Sequence, residues 1–163
     1  MNLQLGYDDN PQTSSESAKG SFVTSLSGAL SAIRSAEASD LAFSVGVASN
    51  VYSDAADLDN TTGYLGLDLG HRLERHQFRL GLQYLTQSTL YAQQPPSRLS
   101  QVNQQQKTLT VRPSWGYLLN ERMTLNLGAT LQDVTFEDAG SVSANDYRLG
   151  TVDLGVGYAL TER

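Results

Sequence analysis

The sequence contains no cysteine, few charged residues and no long apolar run. Without cysteine, the chain can form neither a disulfide framework nor a thiolate metal site. Only 17% of its residues are charged and the net charge is −6, so it offers no basic stripe for nucleic acid. No stretch reaches the roughly 18 apolar residues of a transmembrane helix, and residues 1–5 lack the basic start of a secretion signal. The length of 163 residues fits one domain, predicted to span residues 1–163.

Apolar and polar residues alternate with a period of two along most of the chain, and this alternation predicts β-strands. Leu65, Leu67 and Leu69, for example, are separated by single small or acidic residues. Eight strands are predicted from this pattern, over residues 2–8, 22–33, 41–51, 62–73, 77–90, 108–119, 123–134 and 147–160. The predicted fold class is therefore all-β and antiparallel.

The segment 22–33 is the least regular of the eight, because Leu26, Leu30 and Ile33 also fit one face of a helix. Gly28 disfavours a helix at this point, and both neighbouring segments are predicted strands. We therefore predict a strand here as well.

The predicted connections alternate between short and long. Short connections lie near 35–40, 74–76 and 120–122, and long polar ones lie at 9–21, 49–61, 91–107 and 135–146. The phrase Gly-Tyr-x-Leu-x-Glu-Arg occurs at 116–122 and at 157–163, with a shorter version at 70–75. Short turns at one end of a sheet and long loops at the other are typical of outer-membrane β-barrels.

The polar positions of the predicted strands carry little charge. The water-facing side of a soluble antiparallel sheet usually carries many Lys and Glu residues, whereas Ser, Thr, Asn, Gln and Gly dominate here. This composition fits a hydrated, enclosed interior, and we predict that it is lined by Asp68, Arg79, Gln83, Arg112, Gln132 and Asp153. Arginines opposite carboxylates would set a transverse field that selects among solutes. The alternative is that these residues pair with one another and fill a narrow interior.

Aromatic residues lie near the ends of several predicted strands. Those expected at a membrane–water boundary are Tyr7, Tyr84, Trp115, Tyr117 and Tyr158. The alternative is a soluble β-sandwich or a lipocalin-like barrel, in which tyrosines surround the core and the apolar face turns inward to bind an apolar ligand. Such a protein would stay folded without detergent.

Few residues suggest chemistry. His71 and His76 flank a short turn without an evident third metal ligand or a nucleophile, so we predict no enzyme activity and no cofactor. Asp54, Asp57 and Asp59 collect carboxylates in one loop, which is the chemistry that calcium prefers. Their spacing matches no established cation loop, so a solvated acidic loop is the stronger interpretation.

Two motifs resemble a known family. The segment Leu5-Gly6-Tyr7-Asp8-Asp9-Asn10-Pro11 resembles the opening strand and first loop of outer-membrane β-barrel porins of Gram-negative bacteria, and the turns at 116–122 and 157–163 resemble the periplasmic turns of that group. The resemblance implies an up-and-down transmembrane β-barrel in the outer membrane, in contact with lipid. It implies passive passage of small polar solutes or a structural surface role, and it transfers no catalytic residue.

The last residues differ from the usual ending of that family. Its barrels commonly end on an aromatic residue that closes the last strand, whereas three residues follow Leu160 here. The segment 157–163 matches the internal turn at 116–122 better than such an ending. We therefore expect the chain to be the N-terminal part of a larger barrel, although eight strands also suffice to close one.

Overall fold

The chain folds into one antiparallel β-sheet. The computed structural model describes residues 1–9, 11, 20–88, 105–137 and 145–160, except for the side chain of Asp57. Its strands are β1 (Asn2–Asp8), β2 (Ser21–Ser35), β3 (Ser39–Tyr52), β4 (Asn60–Arg72), β5 (His76–Ser88), β6 (Gln105–Asn120), β7 (Met123–Glu137) and β8 (Tyr147–Tyr158). A 3-10 turn at Ala56–Leu58 joins β3 to β4. In this part of the chain, no helix has the length and hydropathy required for a membrane span.

The strands follow one another across the sheet in chain order, and each is antiparallel to the next. All eight predicted strands are confirmed, including the ambiguous second one, which extends over Ser21–Ser35. The predicted ends differ by a few residues. For example, β8 ends at Tyr158 rather than Leu160, and the Ala159 N–H donates to the Arg122 carbonyl in the adjacent turn, 2.9 Å away.

Short turns join the strands at one end of the sheet, here called the short-turn end, and the longer connections all lie at the other, the long-loop end. Local hydrogen bonds hold the tight turns. The Asn120 side-chain oxygen accepts from the N–H groups of Arg122 and Met123, both 2.9 Å away, as an Asx turn does. The alternation of short and long connections was predicted correctly.

The two outer strands lack a second neighbour among the described residues. The 7-residue strand β1 pairs with β2, and β8 pairs with β7. No pairing between β1 and β8 is present in the ranges given above. Each outer strand therefore has one edge of backbone N–H and C=O groups without a strand partner.

Residues that pair across the strands share a face of the sheet. One row consists of Phe43, Leu67, Leu82, Val111 and Leu131. The row next to it, on the opposite face, consists of Ser44, Gly66, Gln83, Thr110, Gln132 and Leu149. We call the two sides the apolar face and the polar face.

The apolar face is the more exposed of the two on β2, β3 and β7, whereas on β5 Arg79 and Gln83 of the polar face are exposed and Leu80 and Leu82 of the apolar face are half-buried. On β3, Phe43 and Val47 are exposed, whereas Ser44 is half-buried and Gly46 is buried. On β6, Thr110 of the polar face is 9% exposed, whereas Leu109 of the apolar face is 46% exposed. A sheet that packs its apolar face on a core shows the reverse order.

Little apolar surface is buried in the described part of the chain. Its buried hydrophobic residues are Ala55, Leu58 and Val134. Val134 lies on the polar face of β7, and the other two lie in the connection between β3 and β4. Hydrogen bonds between neighbouring strands therefore hold the sheet together, without a second layer packed on it.

Candidate functional site

A continuous apolar band crosses the apolar face of the sheet. On each strand it covers several consecutive positions of that face, running over 41–47, 65–69, 78–84, 109–117, 125–131 and 152–158 on β3 to β8. At about 3.3 Å per residue, most of these segments cover roughly 20–27 Å of strand. The band is made of side chains that the sheet itself leaves uncovered.

The band runs obliquely to the hydrogen-bonded rows. Ser44 is the middle of the band on β3, and the hydrogen-bonded row through Ser44 reaches β8 at Leu149. The middle of the band on β8 is Gly155, six residues from Leu149. Measured from this row, the middle of the band is displaced toward the short-turn end by one, two, three, four and six residues on β4, β5, β6, β7 and β8. Six residues are about 20 Å along a strand, and five strand spacings are about 24 Å. The angle between the strands and the normal of the band is therefore about 40°.

Charged and polar residues mark the limits of the band. At the long-loop end, Arg148 and Asp133 form an ion pair of 2.8 Å, and Lys107 pairs with Glu137. The hydrogen bond to the Glu137 carboxylate raises the pKa of Lys107 above its usual value. At the short-turn end, His71 accompanies the aromatic residues described next. The apolar surface thus has two defined borders.

An aromatic cluster occupies the short-turn border. His76, Trp115 and Tyr117 lie on the apolar face, with ring centroids 4.9 Å apart for His76–Tyr117 and 6.0 Å apart for Trp115–Tyr117. Phe78 stacks on His76 with a centroid separation of 6.0 Å. The Trp115 Nε1–H donates to His76 Nδ1 over 3.1 Å.

The other predicted boundary aromatics also lie on the apolar face. Tyr158 ends β8 at the short-turn end, and Tyr84 is the last band residue toward the long-loop end of β5. Tyr7 lies near the long-loop end of β1 and contacts the Phe22 ring edge-on, with centroids 5.1 Å apart. Their positions at strand ends fit the prediction, and their contact with an interface stays a prediction.

The six residues predicted to line an interior all share the polar face: Asp68, Arg79, Gln83, Arg112, Gln132 and Asp153. Arg112 donates to the Gln83 side-chain oxygen over 2.7 Å. Asp68 and Arg112 lie in one row with Gly81 between them, and they do not form an ion pair. The expected alternative of mutual pairing therefore does not describe these two side chains.

The unpaired charges of the polar face lie near the middle of the band. Asp68 and Arg112 are each one residue from the middle on their strands, and Arg79 and Asp153 are two residues from it. Asp40 and Arg72 lie four and five residues away, and they form an ion pair of 3.1 Å. Among the described residues, the charged side chains of the polar face thus form an ion pair away from the middle of the band and form none close to it.

A shallow depression of about 310 Å³ lies on the polar face at this level. Arg79 stands at one end and Asp153 at the other, and Ser114 and Asn126 offer neutral hydrogen-bonding groups between them. The alternation of residues in the sequence places Ser114 and Asn126 on this face, but it does not show that the depression forms.

Glycines form the floor of the depression. At some of them, no neighbouring side chain occupies the space that a Cβ would take. A Cβ added at Gly155 would meet nothing within 4 Å, and one added at Gly128 would approach only the Asp153 Cβ, at 3.9 Å. At Gly46, by contrast, a Cβ would lie 2.4 Å from the Tyr64 ring. The Tyr64 ring thus explains the glycine at Gly46, whereas no described neighbour explains the glycines at Gly128 and Gly155.

Two carboxylates of the acidic loop accept hydrogen bonds from residues close to them in the chain. Asp59 accepts from the Tyr52 backbone N–H over 2.7 Å, and Asp54 accepts from the Ser53 hydroxyl over 2.5 Å. The third candidate ligand, Asp57, has its side chain outside the described part. Within that part, no group of three or more His, Asp or Glu residues is placed to hold a metal ion. Two of the three predicted ligands therefore have a structural explanation.

Both histidines have neighbours that account for their positions. His71 Nδ1 lies 2.8 Å from the Ser39 hydroxyl, and His76 contacts Trp115 and Tyr117. Both lie on the apolar face at the short-turn end.

Comparison with known proteins gives no family for this chain. The resemblance of its turns and first strand to outer-membrane porins therefore stays a prediction. No protein-family model matches the chain, and neither a curated protein nor a solved structure matches it.

Proposed function

We propose that this chain forms the wall, or part of the wall, of an outer-membrane β-barrel. The apolar band contacts lipid, and the polar face lines a water-filled interior. The short turns face the periplasm and the long connections face the outside of the cell. Small polar solutes cross the interior by passive diffusion. A barrel of this kind with a filled interior would serve a structural surface role.

The oblique apolar band carries this proposal. Strands of outer-membrane barrels tilt by about 35–45°, and their outward apolar band is about 25 Å tall. The strands described here run at about 40° to the normal of the band, and the band covers roughly 20–27 Å along most of them. A bilayer explains this oblique course. Its apolar layer is flat, so it contacts tilted strands at one height above the membrane plane and not along the hydrogen-bonded rows.

The exposure of the two faces also supports the proposal. When a sheet closes, its inner face becomes more crowded than its outer face. Thr108 and Val134 of the polar face are 8% and 0% exposed, whereas Leu131 of the apolar face is 54% exposed. At these positions the polar face is the more crowded one, as the inward side of a closed sheet would be.

The free edges of β1 and β8 require partners in this environment. Lipid offers no hydrogen bonds to backbone N–H and C=O groups, so a membrane sheet must be closed. Pairing of β8 with β1, or of both with further strands, meets this requirement.

The main alternative is a soluble barrel that binds an apolar ligand. In that barrel the Leu, Val and Phe side chains of the band turn inward. Detergent dependence distinguishes the two, because a bilayer protein exposes its band in plain buffer. We expect the purified chain to aggregate in plain buffer and to fold in detergent micelles, as measured by circular dichroism and light scattering. A monomeric, folded chain in plain buffer would overturn the membrane proposal.

Passage of solutes needs a separate test. We expect discrete conductance steps when the detergent-folded protein is added to a planar lipid bilayer. A protein that inserts, as shown by protection of its strands from protease, and gives no conductance would leave only the structural role.

A further inference from the structure

The middle of the polar face carries an arginine and a carboxylate at the two ends of an open depression. Arg79, Ser114, Gly128 and Asp153 form one hydrogen-bonded row over four adjacent strands. Neither Arg79 nor Asp153 forms an ion pair with another residue of the described part of the chain. Since Gly128 has no side chain, nothing on β7 separates the two charged groups in this row.

The position of this pair strengthens its effect. Inside a barrel, the depression would lie near the middle of the membrane, where low-dielectric walls surround a narrow column of water. Opposite charges in such a place act on a passing solute more strongly than they do on an open surface. A solute with one charge would be attracted at one end of the depression and repelled at the other.

We propose that the depression between Arg79 and Asp153 binds zwitterionic solutes of about dipeptide length. The proposal rests on the proposed function, since a water-filled interior places the depression between the low-dielectric walls that strengthen its charges. The solute carboxylate bonds to the Arg79 guanidinium, which is suited to carboxylates. The solute ammonium bonds to Asp153, and Asn126 and Ser114 offer hydrogen bonds to the peptide group between them.

The dimensions favour a dipeptide over a single amino acid. Three strand spacings separate the backbones of Arg79 and Asp153 by about 14 Å, and side chains that stand perpendicular to the sheet carry their charged groups at about this spacing. A dipeptide extends over about 7 Å, and one hydrogen bond of about 3 Å at each end completes roughly 13 Å. A single amino acid would leave one of the two charged groups without a partner. The open positions at Gly128 and Gly155 leave room for the chain of the solute.

Binding of glycylglycine to the full chain, folded in detergent micelles, tests the assignment by isothermal titration calorimetry. Arg79→Gln and Asp153→Asn should each weaken binding by roughly tenfold or more, since each removes a charged hydrogen bond. Matched controls are Arg148→Gln and Asp133→Asn, which change another arginine–aspartate pair on the apolar face and should leave binding unchanged. Circular dichroism would verify that each variant folds.

Capped solutes and a charge exchange complete the test. N-acetylglycylglycine lacks the ammonium and glycylglycinamide lacks the carboxylate, so each should bind roughly tenfold more weakly than glycylglycine. The double variant Arg79→Asp with Asp153→Arg should restore most of the affinity that each single variant loses. Equal binding of the capped solutes, no effect of the two neutral variants, or a double variant as weak as the single ones would overturn the assignment.

The outcome separates this proposal from the membrane proposal. A chain that folds in plain buffer and still binds glycylglycine through Arg79 and Asp153 would overturn the membrane proposal and support the site. A chain that needs detergent and forms channels but does not bind glycylglycine would overturn the site and leave the membrane proposal in place.

Discussion

The Trp115 indole N–H donates a hydrogen bond to Nδ1 of His76, with the two nitrogen atoms 3.1 Å apart. The two residues come from neighbouring strands and lie at the short-turn border of the apolar band. The accepting nitrogen carries no proton in this arrangement. An indole N–H in contact with lipid needs such a partner, because lipid tails offer none.

Replacing His76 by alanine should destabilise the folded protein by about 1–2 kcal/mol, since it removes one hydrogen bond and the stacking of three rings on the imidazole. Urea unfolding in lipid vesicles measures the change, with the single tryptophan as the fluorescent probe. His71→Ala is the control, because His71 bonds to Ser39 and lies opposite only one of these rings, that of Phe78, on the neighbouring strand. Equal losses for the two variants would show that the ring contacts add nothing.

An arginine in the middle of the apolar band should be far more damaging than one in the middle of the polar face. Phe43→Arg should reduce the free energy of unfolding in vesicles by about 2–4 kcal/mol, the range for arginine at the bilayer midplane. Its neighbour Ser44 lies at the same level on the opposite face. Ser44→Arg should cost about 1 kcal/mol or less. If both variants lose the same amount, the band does not face lipid.

The order of strands could be predicted from the sequence because each step depends on local patterns. Period-two alternation specifies the strands, and tight turns such as the one held by Asn120 specify antiparallel neighbours. The six predicted interior residues share one face for the same reason, since parity along a strand decides the face, and their lining of an interior stays a prediction. Even Pro113, which lacks an N–H, did not prevent the strand, although the pairing of β6 with β7 skips residues 112 and 113.

Relations between distant strands could not be predicted from the same patterns. The row that joins Arg79 to Asp153 depends on the register of three successive strand pairs, and the sequence does not specify that register residue by residue. The oblique course of the apolar band depends on the same registers. The partner of Trp115 is also of this kind, because His76 lies 39 residues away in the chain.

The Asp59 carboxylate should stabilise the connection between β3 and β4 rather than bind a cation. It accepts a hydrogen bond from the Tyr52 N–H, which Asp59→Ala would leave without this partner, at a cost of about 1–3 kcal/mol. Asp59→Asn keeps an acceptor oxygen and should cost less. Thermal unfolding in detergent, with and without calcium, measures both effects. A rise in stability with calcium that Asp59→Asn abolishes would restore the metal interpretation.

Two glycines on the polar face should respond in opposite ways to alanine. Gly155 has open space where a Cβ would be added, so Gly155→Ala should stabilise the fold by about 0.4–1 kcal/mol, because alanine restricts the unfolded chain. At Gly46 the Tyr64 ring occupies that space, so Gly46→Ala must displace the ring and should destabilise by about 1–3 kcal/mol. Urea unfolding in vesicles compares the two variants directly. A gain in stability for Gly46→Ala would mean that the Tyr64 ring does not pack over the backbone of β3, and the crowding assigned to this part of the polar face would then be wrong.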